Sequence, residues 1–488
     1  MMRISSYYLI LVILLSLNYS KAQVVDVSSA LKLNNKVPSF RILGKLDDKY
    51  LVERFGNDIH VLDVYNQYLK LQSSKQIQLD KNEKLEKIWV QPNHAWIILL
   101  RHGKEQTYIE ANKMDAKLSL AQKTIVLDSI QERKDLLDNN FRTQLSSDES
   151  KILLYSPIFS QGKIAYFYTK VYDNNLKLIN QQKLNTSVLL EQSFVDVFLR
   201  NDGSYLFITK SKEKSSTEVY YFTYVDASGK VSLGSFIPVK DIFKRLQFEI
   251  DEMHNSLLIS GYFQAEDYSK KNTMGASQFF LSKLELGSFN NLFTSIHNIS
   301  SDFYFELTGK KNEIDPPQLF TFYIKSIVPK IDGGALVIAE SYFKNEEQFI
   351  SNSYFSVNGI MPSYNTTTVY NFNDLIVYHV DSTGKVVNEQ IVRKKQVSQN
   401  DGGTYSSFFL MNQRDELKLL FLDEIGDDSQ INQASVDGVN SNTKSYSVFN
   451  TRSKNVVPIV SLAYQTAPNE LIIPSHFKSR MQLIKIRY

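Results

Sequence analysis

The segment RNDGSYLFI, residues 200–208, decides the fold: a polar turn passes without interruption into a strand that is apolar on consecutive positions. The same arrangement returns along the chain as LDDKYLVE (46–53), QPNHAWIILL (91–100), SSDESKILLY (146–155), DEMHNSLLI (251–259), KIDGGALVI (330–338), NQRDELKLLFL (412–422) and QTAPNELIIP (465–474). Taking Asp47, Asn93, Asp148, Asp202, Asn255, Asp332, Asp415 and Asn469 as landmarks, the gaps are 46, 55, 54, 53, 77, 83 and 54 residues. Five gaps fall in a ten-residue band, and the two long ones read as the same unit with insertions. A fixed period of this size marks a repeat architecture.

A second landmark follows the first by about 20 residues, as the self-similar spacing of a repeat requires. It is an alternating strand, a polar turn and another strand: VLDVYNQYLKLQ (61–72), TKVYDNNLKLI (169–179), FTYVDASGKVSL (222–233) and VYHVDSTGKVVNE (377–389). Asp226 to Gly229 and Asp381 to Gly384 are hairpin turns by chemistry, with glycine for a positive φ and aspartate to cap through its own side chain. Each unit therefore reads as four short antiparallel strands. Helical periodicity is confined to Asp128–Asn139 and Asp241–Leu246. Four-stranded sheets repeated every 50 or so residues predict an all-β fold, a β-propeller, in which each blade covers the faces of its neighbours. ILLY (152–155), LLIS (257–260), ALVIA (335–339) and LKLLFL (417–422) are apolar on both faces, as sandwiched inner strands must be. Eight units predict eight blades, with seven as the alternative because the last two units crowd between Ser445 and Ile473. The last unit ends at MQLIKIRY (481–488) without a partner strand, and Val24–Leu33 (VVDVSSALKL) alternates like an outer strand. Pairing of the two would close the ring and remove an open edge.

SSDESKILLYSP (146–157) and RNDGSYLFITKS (200–211) resemble the turn-and-strand segments of TolB-like and WD40-like propeller repeats. The resemblance covers about ten residues per unit and implies the fold alone. A Trp-Asp repeat signature and sialidase-type Asp boxes are both absent, the only tryptophans being Trp89 and Trp96.

Residues 1–22 read as a secretory signal: Arg3, an apolar core from Tyr7 to Leu17, and small residues at Ser20 and Ala22. Eleven apolar residues are too few to span a bilayer, which takes about 20. No later stretch approaches that length, so no transmembrane helix is expected. Residues 23–488 are then a single propeller domain, periplasmic, cell-surface-associated or secreted. The style of the signal, the "KAQ" processing site and the Lys/Asn/Tyr/Ile-rich composition resemble exported proteins of the Bacteroidota. The chain of 488 residues has no cysteine, which excludes disulfides, thiolate metal sites and a cysteine nucleophile. With 55 Lys+Arg against 52 Asp+Glu the net charge is +3. Loss of Arg3 and Lys21 leaves 53 against 52, so nucleic acid is not an expected partner.

No cofactor or metal is implied. Gly-x-Ser-x-Gly and His-Glu-x-x-His are absent. The seven histidines are scattered singly, and His94 and His254 occupy equivalent turns. Asp427, Asp428 and Asp437 lack calcium-loop spacing. Asp332-Gly-Gly and Asp401-Gly-Gly precede no helix that would hold a phosphate. What stands out is asymmetry. Insertions are expected at 265–276, 288–318, 344–373 and 426–444, and loops between second and third strands share one face. The segment 344–373 carries Phe349, Tyr354, Phe355, Tyr364 and Tyr370 among Asn, Ser and Thr. Aromatics in an adaptable polar setting suit protein anchoring or stacking on sugar rings; packing inward to cap the ring is the structural alternative. The sequence thus predicts an exported, non-catalytic scaffold that binds a protein or glycan. A propeller hydrolase or lyase with axial carboxylates, and an outer-membrane β-barrel, are the alternatives.

Overall fold

The computed structural model describes residues 23–131, 141–160, 163–185, 193–212, 218–264, 275–312, 316–356, 359–413, 416–426, 428–436 and 445–488. These residues form eight separate antiparallel sheets, spanning 39–77, 83–131, 142–185, 193–236, 242–298, 322–399, 408–450 and 464–487 with 24–32. In each of the first seven, four consecutive strands pair in chain order. Eight apolar clusters lie between them, and each draws its residues from two neighbouring sheets. Eight sheets with eight shared cores make a closed ring, the eight-bladed β-propeller; the seven-blade and membrane-barrel expectations fall with that count.

The unbroken apolar runs follow from this geometry. In Tyr205–Lys212, Tyr205 and Phe207 enter the core shared with the third blade, while Leu206 and Ile208 enter the core shared with the fifth. Successive side chains of a strand point to opposite faces, so a strand with a neighbour on each side has no polar face. Aromatic stacking joins the blades, as between Phe279 and Tyr378, whose ring centroids lie 4.1 Å apart.

Closure is as the sequence predicts. Val24–Val27 pairs antiparallel with Ile484–Arg487, and Leu31 and Lys32 pair with Met481 and Arg480. Leu33 completes the core between the eighth and first blades. The second hairpins also form, each capped by one side chain: Asp226 accepts from the amides of Ser228 and Lys230, and Asp381 from those of Thr383 and Lys385. The left-handed position is Gly229 and Gly384 in these turns but Leu69, Leu118 and Leu176 in three others. A non-glycine residue there costs roughly 1–2 kcal/mol. All three leucines are buried in inter-blade cores, where burial of a leucine contributes a similar or larger amount.

Several segments differ from the sequence reading. Asp128–Gln131 ends the strand Leu120–Gln131, and the rest of that expected helix lies outside the described residues. Asp241–Leu246 leads into the innermost strand Ile242–Asp251, because Phe243 and Leu246 are needed in two different cores. Among the described residues the one α-helix is α1, Ser301–Thr308, which begins at Ser300, whose side chain accepts from the Phe303 amide, and ends at Gly309 in the left-handed conformation. It belongs to the 288–318 insertion, whose beginning is the blade strand Asn291–Asn298. The 426–444 segment is not one loop: it contains the third blade strand Gln430–Val436, and residues 437–444 lie outside the described part. Residues 265–274 are likewise outside the described part.

Candidate binding face

The expected aromatic loop 344–373 is a β-hairpin. Ala335–Ser356 and Gly359–Val380 run for 22 residues each and pair antiparallel, out to Ser356 opposite Gly359. The sequence here is rich in residues that favour extended backbone, such as Thr366-Thr367-Thr368-Val369-Tyr370. The two strands belong to the sixth blade up to Val380, and beyond it, among the described residues, they pair only with each other and with Gln396–Gln399, which lies against Val369–Phe372. From Glu347 to Ser356 the arm is a two-stranded ribbon, roughly 33 Å long at the usual rise per residue.

Of the five aromatics singled out in sequence, Tyr370 is half-buried, opposite Lys344 and Ser398. The side chains of Phe349, Tyr354, Phe355 and Tyr364 lie outside the described residues; their backbones are in the two strands, with Phe349 opposite Asn365 and Tyr364 opposite Ile350.

The base of the arm is held by ionic contacts that have no sequence signature. Arg393 donates from one guanidinium nitrogen to the Leu307 carbonyl of α1 and to Asp374, 2.7 Å away, tying the helix to the arm. Lys394 and Glu340 form a fully buried ion pair at 2.8 Å. Lys394 also donates to the Phe372 carbonyl and the Gln396 side chain, both at 3.1 Å. Glu340 accepts from the Ser407 hydroxyl at 2.8 Å and has Lys325 at 3.5 Å. Burial pulls the Lys394 ammonium below its usual range, and Glu340 opposes that shift. Lys325, Glu340, Phe372 and Lys394 are far apart in sequence and meet through the pairing of the sixth blade's own strands, with Leu307 and Ser407 contributed by the connections on either side.

Beside this base, at the mouth of the ring, opens a cleft of about 640 Å³ lined by Arg245, Lys325, Phe372 and the segment Gly403–Leu410. On the opposite face a smaller cleft of about 370 Å³ carries Asp47, Asp48, Asp148 and Glu149. His94 and His254 sit in turns there, bonded to Asn93 and Asp251 respectively.

The innermost strands also bring carboxylates together. Burial pushes the Glu249 carboxyl up to about 7; the Ile250 amide opposes this, and the charges of Asp196 and Glu252 add to it. Burial raises Asp196, on the adjacent blade, as well. Among the described residues no helix is long and apolar enough to cross a membrane.

No protein-family model matches this chain, and no curated protein matches it in sequence. Solved structures similar to it include an uncharacterized protein from Listeria monocytogenes EGD-e, at 11% identity over 81% of this chain and 90% of that one, with a TM-score of 0.35. Sqt1 from Chaetomium thermophilum, solved bound to the N-terminus of ribosomal protein L10, is 10% identical over 92% of this chain and 99% of its own, TM-score 0.40. Prolyl oligopeptidase B from Galerina marginata is 9% identical over 90% of this chain, TM-score 0.37; the match spans 55% of that chain. Resemblance of this degree says nothing about activity.

Proposed function

We propose that this protein is an exported, non-catalytic β-propeller that binds a protein or glycan through the arm-bearing face. The observation that carries the reading is the arm: a blade hairpin continued far beyond the sheet, as a ribbon that pairs with no other described strand. An isolated two-stranded hairpin is marginal in water, and a projecting element placed on a rigid scaffold is where binding residues concentrate. The aromatic content of 344–373 and the export signal at 1–22 support the same reading.

The test is to replace Glu347–Thr367 by Asn-Gly, a two-residue hairpin turn. This keeps Thr368 and the pairing of Val369–Phe372 with Gln396–Gln399. Unfolding should stay cooperative while capture of the partner from the native envelope, identified by mass spectrometry, is lost. Capture at the wild-type level would refute the assignment. A hydrolase or lyase is the second reading, favoured by Glu249 and Asp196, two carboxyls raised by burial on adjacent innermost strands. If the wild-type protein cleaves envelope polysaccharide or peptide and E249Q does not, binding gives way to catalysis.

A further inference from the structure

The cleft at the mouth of the ring has a charge that the near-neutral chain conceals. Both charged residues on its wall are cations, Arg245 and Lys325. Glu340 lies behind the wall, fully buried and paired with Lys394 at 2.8 Å, with Lys325 3.5 Å away. Arg245 is exposed and makes no ion pair or hydrogen bond with any described residue. Two cations on the wall with no carboxylate among the lining residues, in a concave site with a partly low-dielectric wall, draw an anion.

The remainder of the wall says what kind of anion. Ser326, Thr404, Ser406 and Ser461 add hydroxyl-bearing residues to the lining; Thr404 and Ser461 already donate to the Asp401 and Thr404 carbonyls, which leaves their oxygens to accept. The Phe372 ring forms part of the same wall, with Lys325 and Lys394 ammonium groups about 6 Å from its centroid. A flat aromatic beside hydroxyls suits a pyranose ring, which has an apolar face and a polar rim. The volume, about 640 Å³, lies in the range of small-ligand sites.

We infer that this cleft binds a carboxylate-bearing saccharide, with the uronate carboxylate held by Arg245 and Lys325 and a sugar ring set against Phe372. The inference deepens the reading of this face as a binding face and names its ligand class. Guanidinium and carboxylate match as a two-pronged, charge-assisted pair, and Arg245 is the group left unpaired to form it.

The experiment is calorimetry of the full mature chain with trigalacturonate, with the neutral galactose trisaccharide and with tri-glutamate as comparators. Trigalacturonate should bind, more weakly as salt rises, and at least tenfold tighter than either comparator. Arg245→Gln should weaken it about tenfold or more, the loss expected for one charge-assisted hydrogen bond, while Arg245→Lys, which keeps the charge and loses the two-pronged geometry, should fall between the two. Because Arg245 is exposed and unpaired, both variants should keep the wild-type unfolding midpoint. Absence of trigalacturonate binding, equal binding of the neutral sugar, tighter binding of tri-glutamate, or an unaffected Arg245→Gln would each overturn the assignment. Partner capture through the arm is measured separately, so failure of the saccharide site and failure of the arm reading are distinguishable.

Discussion

Lys394→Met tests whether the arm is anchored by the buried ion pair. Methionine keeps the stem of the lysine and removes its charge. Glu340, whose side chain is fully buried, would then lose its closest partner, and the Phe372 carbonyl and Gln396 side chain would lose a donor. Breaking a buried pair from one side costs about 3–5 kcal/mol, because the remaining charge stays desolvated. Glu340 retains Lys325 and the Ser407 hydroxyl, which places the cost near the lower end, about 3 kcal/mol. A thermal midpoint would register this poorly. At roughly 2 cal/mol/K per residue, the unfolding entropy of a chain this long approaches 1 kcal/mol/K, so the shift is only about 3 °C. Denaturant midpoints, with amide exchange at Gln396–Gln399, are the better assay. Exchange there should accelerate, because Lys394 leads into that strand and bonds Gln396. The double variant Glu340→Leu/Lys394→Met removes both charges, and should recover at least half the loss, since apolar replacement of a buried pair is often neutral. A single variant as stable as wild type, or a double variant worse than the single, would refute the reasoning.

Two further outcomes follow from the same coordinates. Glu249 carries a carboxyl raised from 4.5 to about 7 in the folded protein. Between those values the native state holds a proton that the unfolded chain has released, so stability should fall as pH rises through that window, by about 3 kcal/mol in all. Glu249→Gln should flatten the slope between pH 4.5 and 7 in denaturant titrations; an unchanged slope would count against the assignment. Deleting Gln23–Leu33 strips the strand paired with Ile484–Arg487 and exposes Ile484 and Ile486, which are wholly buried. Self-association in light scattering and faster amide exchange at 481–487 should result; a monomer with native protection there would contradict the closure.

Much of the architecture is local, which is why it could be read from the chain. A turn such as Asp226 to Gly229 declares itself through side-chain capping and a glycine. An unbroken run such as Tyr205–Ile208 declares that its strand is covered on both sides. Of the three turns with leucine at the left-handed position, those of Leu69 and Leu176 were legible only as hairpins and that of Leu118 not at all, since nothing local signals that these leucines are held there by an inter-blade core. The segment 344–373 was legible as an aromatic-rich insertion, but its form was not. Polar and aromatic residues in alternation satisfy a loop or a ribbon equally, and the blade strands on either side decide the matter by fixing the register in which the hairpin continues.

The repeat, the four-stranded unit and the closing strand were written in the sequence, because each depends on residues within a few positions of one another or on periodic burial. Only the tertiary structure decided that Glu340 meets Lys394, that Arg393 reaches α1, and that Arg245, Lys325 and Phe372 share one cleft. These contacts join residues from separate blades or from connections between them. The charges are chosen to suit partners brought near by the closing of the ring, and no spacing along the chain records that distance.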